Sequence, residues 1–200
     1  MGDRLASMGY VALIPDIYYR AGEWAPFDVA TVFTDKQERA RLSSLASVLT
    51  NDRIIADSGA YADFLLARPE VTGSTIGTTG YCLGGRMSLI AAGGLGRKIA
   101  AAASFHGGRL AVAGDPSSPH LSAGRITATV YVAGARDDDS FTTAELLESA
   151  LTDAGVDHTL EFYSAHHGFA VPDNQTYSAE ANARNWEALR QFYGAHLKSS

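Results

Sequence analysis

The sequence predicts an α/β fold: a mostly parallel sheet with helices on both faces. Three observations lead there. Short β-type runs alternate with helix-type stretches along the chain, the spacing that βαβ units produce. The run Val11-Ala12-Leu13-Ile14-Pro15 is apolar on both faces, as a strand buried between two helix layers is. Finally, Cys82, His106, Asp137/Asp138 and His167 each stand just past a β-type run, so a parallel sheet would bring them to one edge.

Taken in order, residues 1–8 read as the last turns of a helix, with Leu5 and Met8 three apart and Gly9 as its stop. A buried strand is expected at 11–15. Residues 16–33 are irregular and aromatic, with Tyr18, Trp24 and Arg20 among them. An aromatic loop directly after a strand end is either a cover on the sheet edge or a wall of a ligand pocket. Thr34-x-x-Gln37 has the spacing of a capping box and opens a helix to about residue 49. A second helix spans about 52–67, with Ile54, Ile55, Ala62, Phe64, Leu65 and Leu66 able to form its buried stripe. Strands are expected at 98–105, 126–133 and 158–163, and a helix at 141–154 closed by Gly155. The stretch 110–124, rich in Pro, Ser and Gly, is a loop. A final helix at 178–197 turns Trp186, Leu189 and Phe192 inward.

Between the second helix and residue 98 lies Thr75-Ile76-Gly77-Thr78-Thr79-Gly80-Tyr81-Cys82-Leu83-Gly84-Gly85. A β-type run ends in Gly-x-Cys-x-Gly and a helix follows at once, the pattern of a nucleophile elbow with cysteine at its apex. Such a turn strains its apex residue, and Gly two before and two after it relieves Cβ clashes. The amides of Leu83 and Gly84 then lie at a helix N-terminus, positioned to donate to an anion.

Composition limits the class. The chain has 200 residues, 46% of them hydrophobic, and is expected to form one domain over 1–200. A net charge of −6 leaves no basic stripe for a nucleic acid. The sequence has one Cys, which excludes an internal disulfide framework and fits a reducing, cytoplasmic setting. It has no apolar run of membrane-spanning length, and its start lacks the pattern of a secretory signal.

The edge residues fall in the order nucleophile, acid, histidine, the order of an α/β-hydrolase. Each has a plainer alternative. A single cysteine is commonly a small buried hydrophobe, and Asp137-Asp138-Asp139 can be a solvated turn and cap. Adjacent His166 and His167 cannot easily face one ion, and no third ligand stands at a metal-site spacing, so no metal is expected. His106 has its simplest role in hydrogen bonding within its loop.

Gly80-Tyr81-Cys82-Leu83-Gly84-Gly85, Pro15-Asp16-Ile17-Tyr18-Tyr19-Arg20, Asp138 before Asp139-Ser140-Phe141, and His167-Gly168-Phe169 together resemble the dienelactone hydrolases (carboxymethylenebutenolidases), which are α/β-hydrolases. The resemblance runs over nearly the whole chain. It implies Cys82 as nucleophile, His167 as base, Asp138 rather than Asp137 as orienting acid, and the Leu83 amide as oxyanion donor. It also implies Arg20 as a substrate-carboxylate clamp; Tyr18, Trp24 and His106 are substrate-binding candidates from their places past strand ends, apart from the resemblance. A second carboxylate-binding arginine of the family has no counterpart, since Val171 stands there. The family carries about three strands before the helix that precedes Val11, with a second oxyanion amide and a glutamate, so the fold is expected to be N-terminally truncated. The implied function is cleavage of a lactone or activated ester, carboxylate-bearing, by a monomer or homodimer without metal or organic cofactor. A non-catalytic binding or interaction domain is the alternative. A redox sensor is a weaker third, for want of a resolving cysteine.

Overall fold

The structure is a computed structural model that describes residues 1–137 and 139–197, with the backbone alone at 139 and 140. Four parallel strands form one sheet in the order β1-β2-β3-β4: β1 Ile76–Tyr81, β2 Ile99–Phe105, β3 Thr129–Ala135 and β4 His158–Tyr163. Because the order follows the sequence, every connection returns over the sheet to start the next strand beside the last. The strand C-terminal ends therefore share one edge. Register is continuous from Tyr81↔Phe105 through Phe105↔Ala133, so the residues just past β1, β2 and β3 follow one another across that edge.

Side chains alternate between two cores, as the pleat requires. Ala102, Val130 and Val132 face α4 (Leu83–Leu95) and α6 (Ala144–Asp153), joining Leu89, Ala92, Leu147 and Leu151. Ala101, Ala103, Phe105, Tyr131 and Ala133 face α7 (Ala179–His196), joining Trp186, Leu189 and Tyr193. Alanine dominates β2 because that strand is central and helices press on both of its faces. Outside α4 lies α3 (Asn51–Leu66), close enough that a Cβ on Gly94 would stand 2.4 Å from Ile55.

Helix ends differ from expectation where side-chain chemistry chose another cap. The helix α2 (Lys36–Ser47) starts one residue later than the Thr34 signature implies. Asp35 caps it, accepting from the amides of Gln37 and Glu38, while the Thr34 hydroxyl donates backward to the Thr31 carbonyl. The expected helix at 141–154 is two pieces, α5 (Asp139–Thr142) and α6, broken at Thr143. The loop at 110–124 holds a 3₁₀ turn at Pro119–Arg125 and buries Leu110 and Ala111 fully. Phe64, placed in the buried stripe by its spacing, is 55% exposed; Arg68 lies over its ring.

The largest departure is at 11–15. A short helix α1 (Gly2–Ser7) ends at Gly9, whose φ is +89°, as expected. The run after it is extended but pairs with no strand, and Val11 and Ile14 are 44% and 70% exposed. β1 is therefore an edge of the sheet. No helix among the described residues is long and apolar enough to cross a membrane.

Buried and exposed apolar positions make unequal demands on substitution. Leu189→Ala, at a fully buried position, is expected to lower stability by about 2–5 kcal/mol. Phe64→Ala should stay within about 0.5–1 kcal/mol. Urea unfolding of both variants measures the contrast.

Candidate active site

The site begins where β1 meets α4. Cys82 joins them at φ +54°, a left-handed conformation rare for a residue with a side chain. Three bonds hold it there. Its amide donates to the Phe105 carbonyl at 3.1 Å, extending the β1–β2 ladder by one rung, and its carbonyl accepts from Gly85 and Arg86 at 3.1 and 3.3 Å. Leu83 and Gly84 are the first two residues of α4, where helix geometry leaves amides without partners along the helix.

The glycines around the apex are not equivalent. A Cβ on Gly80 would lie 2.1 Å from the backbone of Gly84, and one on Gly85 would lie 2.5 Å from Ser104 Oγ of β2. A Cβ on Gly84 would meet nothing within 4 Å. The expectation that Gly84 relieves its own Cβ clash is therefore corrected. Gly84 is the surface that Gly80 packs against, and the second glycine required for close approach is Gly85.

Past β2, His106 is 1% exposed, with φ +39°, and its amide donates to the Ala133 carbonyl at 2.7 Å. Its ring packs edge-on against His167 at 5.0 Å and Phe169 at 4.9 Å, and tilts against Tyr81 at 5.8 Å. The structure thus brings His106 beside His167, one residue past the strand that neighbours the elbow strand. His167 sits in a tight turn after β4. Gly168 there has φ +92°, and the Thr176 hydroxyl donates to the His167 carbonyl at 2.5 Å.

Asp138 lies outside the described residues. The carboxylate of Asp137 accepts from His166 Nδ1 with one oxygen and from the His167 amide at 3.1 Å with the other. The bond to His166 is the main reason that its pKa is lowered. Asp137 thus fastens the histidine turn through His166 and the backbone.

The aromatic loop closes the other side. Tyr18 is 9% exposed, and its pKa is raised chiefly by that burial. Asp16 arranges this wall. It accepts from the Tyr18 amide at 2.8 Å and from Trp24 Nε1 at 3.1 Å, and the two rings meet edge-to-face at 5.4 Å. The Asp that opens the loop after Pro15 is an Asx-turn signal that could have marked this role.

Arg20 is less free than expected. Both of its terminal nitrogens bond Asp57 of α3, the second at 2.6 Å, and Tyr19 donates to the same carboxylate at 3.0 Å. The pair lowers the Asp57 pKa and raises that of Arg20. Nothing in the local sequence marks Asp57, which stands 37 residues away from Arg20. Among the described residues, no group of three His, Cys, Asp or Glu side chains is disposed to hold a metal ion.

Residues 1–197 match the family model of the dienelactone hydrolase family. A carboxymethylenebutenolidase-like protein of Synechocystis sp. is 30% identical over 98% of this chain and 79% of its own length. The carboxymethylenebutenolidase of a Pseudomonas sp. is 29% identical over 94% and 75%. Among solved structures, a dienelactone hydrolase-like protein of Klebsiella pneumoniae has a TM-score of 0.80 at 22% identity, a likeness of fold, and covers 96% of this chain and 78% of its own. A dienelactone hydrolase-like promiscuous phosphotriesterase from metagenomic libraries has a TM-score of 0.70 at 28% identity, over 96% and 77%.

The unequal glycines are separable by mutation. Gly80→Ala is expected to cost several kcal/mol or prevent folding, because the obstacle is backbone. Gly84→Ala should be neutral or stabilising by up to about 1 kcal/mol from helix propensity. Chemical denaturation distinguishes them. A second expectation concerns pH. The lowered pKa of Asp137 means that its stabilisation is complete above the ordinary carboxylate value, about 4, and is lost as pH falls through the lower native value. Asp137→Asn should lack that acid-limb loss, read from thermal unfolding across pH.

Proposed function

The chain belongs to the dienelactone hydrolase family and is a hydrolase, and on that premise we propose that it cleaves a lactone or activated ester through Cys82, His167 and Asp138. The observation that carries this reading is the strained apex. Cys82 is held at φ +54° between a strand end and the amides of α4, with His106 past the neighbouring strand β2 and His167, from the turn after β4, packed against it. A left-handed cysteine costs free energy that a merely structural residue would not need.

In the proposed reaction, Cys82 gives its thiol proton to His167 and the sulfur attacks the acyl carbon, and the carbonyl oxygen takes up negative charge beside the Leu83 amide. The C–O bond to the leaving group breaks as the C–S bond remains, and His167 supplies the proton that the alkoxide or enolate needs. His167 then takes a proton from water, which attacks the thioester, expels the thiolate and leaves a carboxylic acid. Asp138 is assigned to orient His167, a reading supported by Asp137 being engaged with His166 and the His167 backbone. Tyr18 and Trp24 wall the substrate, with His106 behind His167. Because Arg20 is already paired with Asp57, a substrate carboxylate must share or displace that partner. Arg20 therefore selects less strongly for anionic substrates than a free arginine would.

Cys82→Ala should abolish turnover of p-nitrophenyl acetate and of simple lactones. Wild-type rates in that variant would overturn the nucleophile assignment. His167→Ala and Asp138→Asn should each lower kcat by about 100-fold or more, whereas Asp137→Asn should change it far less. Arg20→Ala should raise KM for a carboxylate-bearing ester while sparing a neutral one of the same leaving group. Equal losses on both would sink the clamp role.

A further inference from the structure

Across the sheet, the proposed nucleophile and base start far apart. Cys82 follows β1 and His167 follows β4, with β2 and β3 between them. Neighbouring strands lie about 4.8 Å apart, so the two residues leave the sheet three such spacings from each other. For His167 to serve Cys82, the turn after β4 must reach back over β3 and stop at a definite place. What it meets there is His106, whose ring packs edge-on at 5.0 Å from the His167 ring.

His106 stands at the end of β2 as Cys82 stands at the end of β1. Each follows its strand directly and has a positive φ, +39° and +54°. Each amide also adds one rung to the next strand, His106 donating to the Ala133 carbonyl and Cys82 to that of Phe105. Among the described residues other than glycine, only Arg109 shares this backbone region. The conformation is costly for a residue with a side chain, so the fold holds His106 there against that cost. Its ring is then enclosed by His167, by Phe169 at 4.9 Å and by Tyr81, the residue before Cys82, at 5.8 Å. With 1% exposure, it offers a substrate no surface. Phe169 behind it is itself fully buried against Tyr163, so the imidazole has nowhere to retreat.

We propose that His106 is a positioning residue of the cysteine-based reaction. Its buried ring is the stop that sets how far the His167 turn reaches toward Cys82. This role rests on His167 being the base for Cys82 and adds what places it. Ring packing fixes where an imidazole lies and leaves its nitrogens to other groups. Without the contact, the turn would keep its bonds from the His167 amide to Asp137 and from Thr176 to the His167 carbonyl. The His167 ring, however, would have room to swing, and a displacement of about 1 Å at a reacting group costs on the order of 100-fold in rate.

The test compares His106→Asn and His106→Phe with the wild-type chain. Asparagine tolerates a positive φ, so the first variant removes the ring without adding backbone strain. Two readouts are followed: turnover of p-nitrophenyl acetate, and alkylation of Cys82 by iodoacetamide near neutral pH. The second reads one site, because the chain has one cysteine. His106→Asn is expected to lower kcat by about 10–100-fold with KM within about threefold, and to slow alkylation about fivefold or more. His106→Phe, which restores a ring, should recover most of both losses. The proposal is overturned if His106→Asn keeps wild-type kcat and alkylation, or if His106→Phe rescues neither, which would assign the role to the imidazole nitrogens. A rise in KM at unchanged kcat would overturn it too, by making His106 a substrate contact. His167→Ala is the control. Slow alkylation there with fast alkylation in His106→Asn removes this proposal alone, whereas unchanged alkylation and turnover in His167→Ala remove the base itself and the proposal with it.

Discussion

The close approach of β1 and α4 is the constraint on which the rest of the site depends. At the elbow, the chain passes its own backbone so tightly that Gly80 faces the Gly84 carbonyl with no room for a methyl group. The same proximity continues into β2, where Ser104 Oγ fills the space left by Gly85 and Gly107. One serine between two glycines thereby sets the spacing between the elbow helix, the second strand and the loop that begins at His106. Loosening that contact would move the cysteine, the helix amides and the buried histidine together.

Around this rigid centre, carboxylates organise the loops. Asp16 holds the aromatic wall through the Tyr18 amide and the Trp24 ring nitrogen. Asp57 gathers Tyr19 and Arg20, and Asp137 fastens the turn that carries His167. On the far side, Asp115 binds Arg109 and Ser117, and these contacts lower its pKa. Arg86, immediately past the elbow, ties the same loop down by donating to the Arg109 and Ser117 carbonyls. Loops cannot bury a continuous apolar face, so directional bonds to short acidic side chains define their shape. A consequence is that the positive charge of Arg20 is balanced before any substrate arrives.

Much of this organisation was legible in the residues. The helix at Ala179–His196 turns Trp186 and Leu189 inward as its spacing requires, and the strand at His158–Tyr163 has the expected bounds. Periodicity and turn chemistry are local, so a sequence carries them openly. Local patterns failed where a distant partner decided. Phe64 fits a buried stripe, yet it is 55% exposed with Arg68 over its ring. Thr34 has a capping-box spacing, but Asp35 is one residue nearer to the orphan amides and is the stronger acceptor. The run at 11–15 has strand composition, but pairing is a property of two segments, and its neighbouring space is a cavity beside β1.

By itself, the sequence determined the alternation of strands and helices, the elbow and its apex cysteine, and the order in which acid and histidine follow it. All three rest on short-range rules: hydrophobic period, glycine's freedom at a tight turn, and the common direction of parallel strands. Tertiary structure alone decided which side chains meet. It set His106 against His167, gave Arg20 to Asp57, assigned Asp137 to His166, and left a cavity along β1. The physical reason is that burial, ion pairing and ladder formation depend on distances between residues far apart in the chain, which only the packed fold defines.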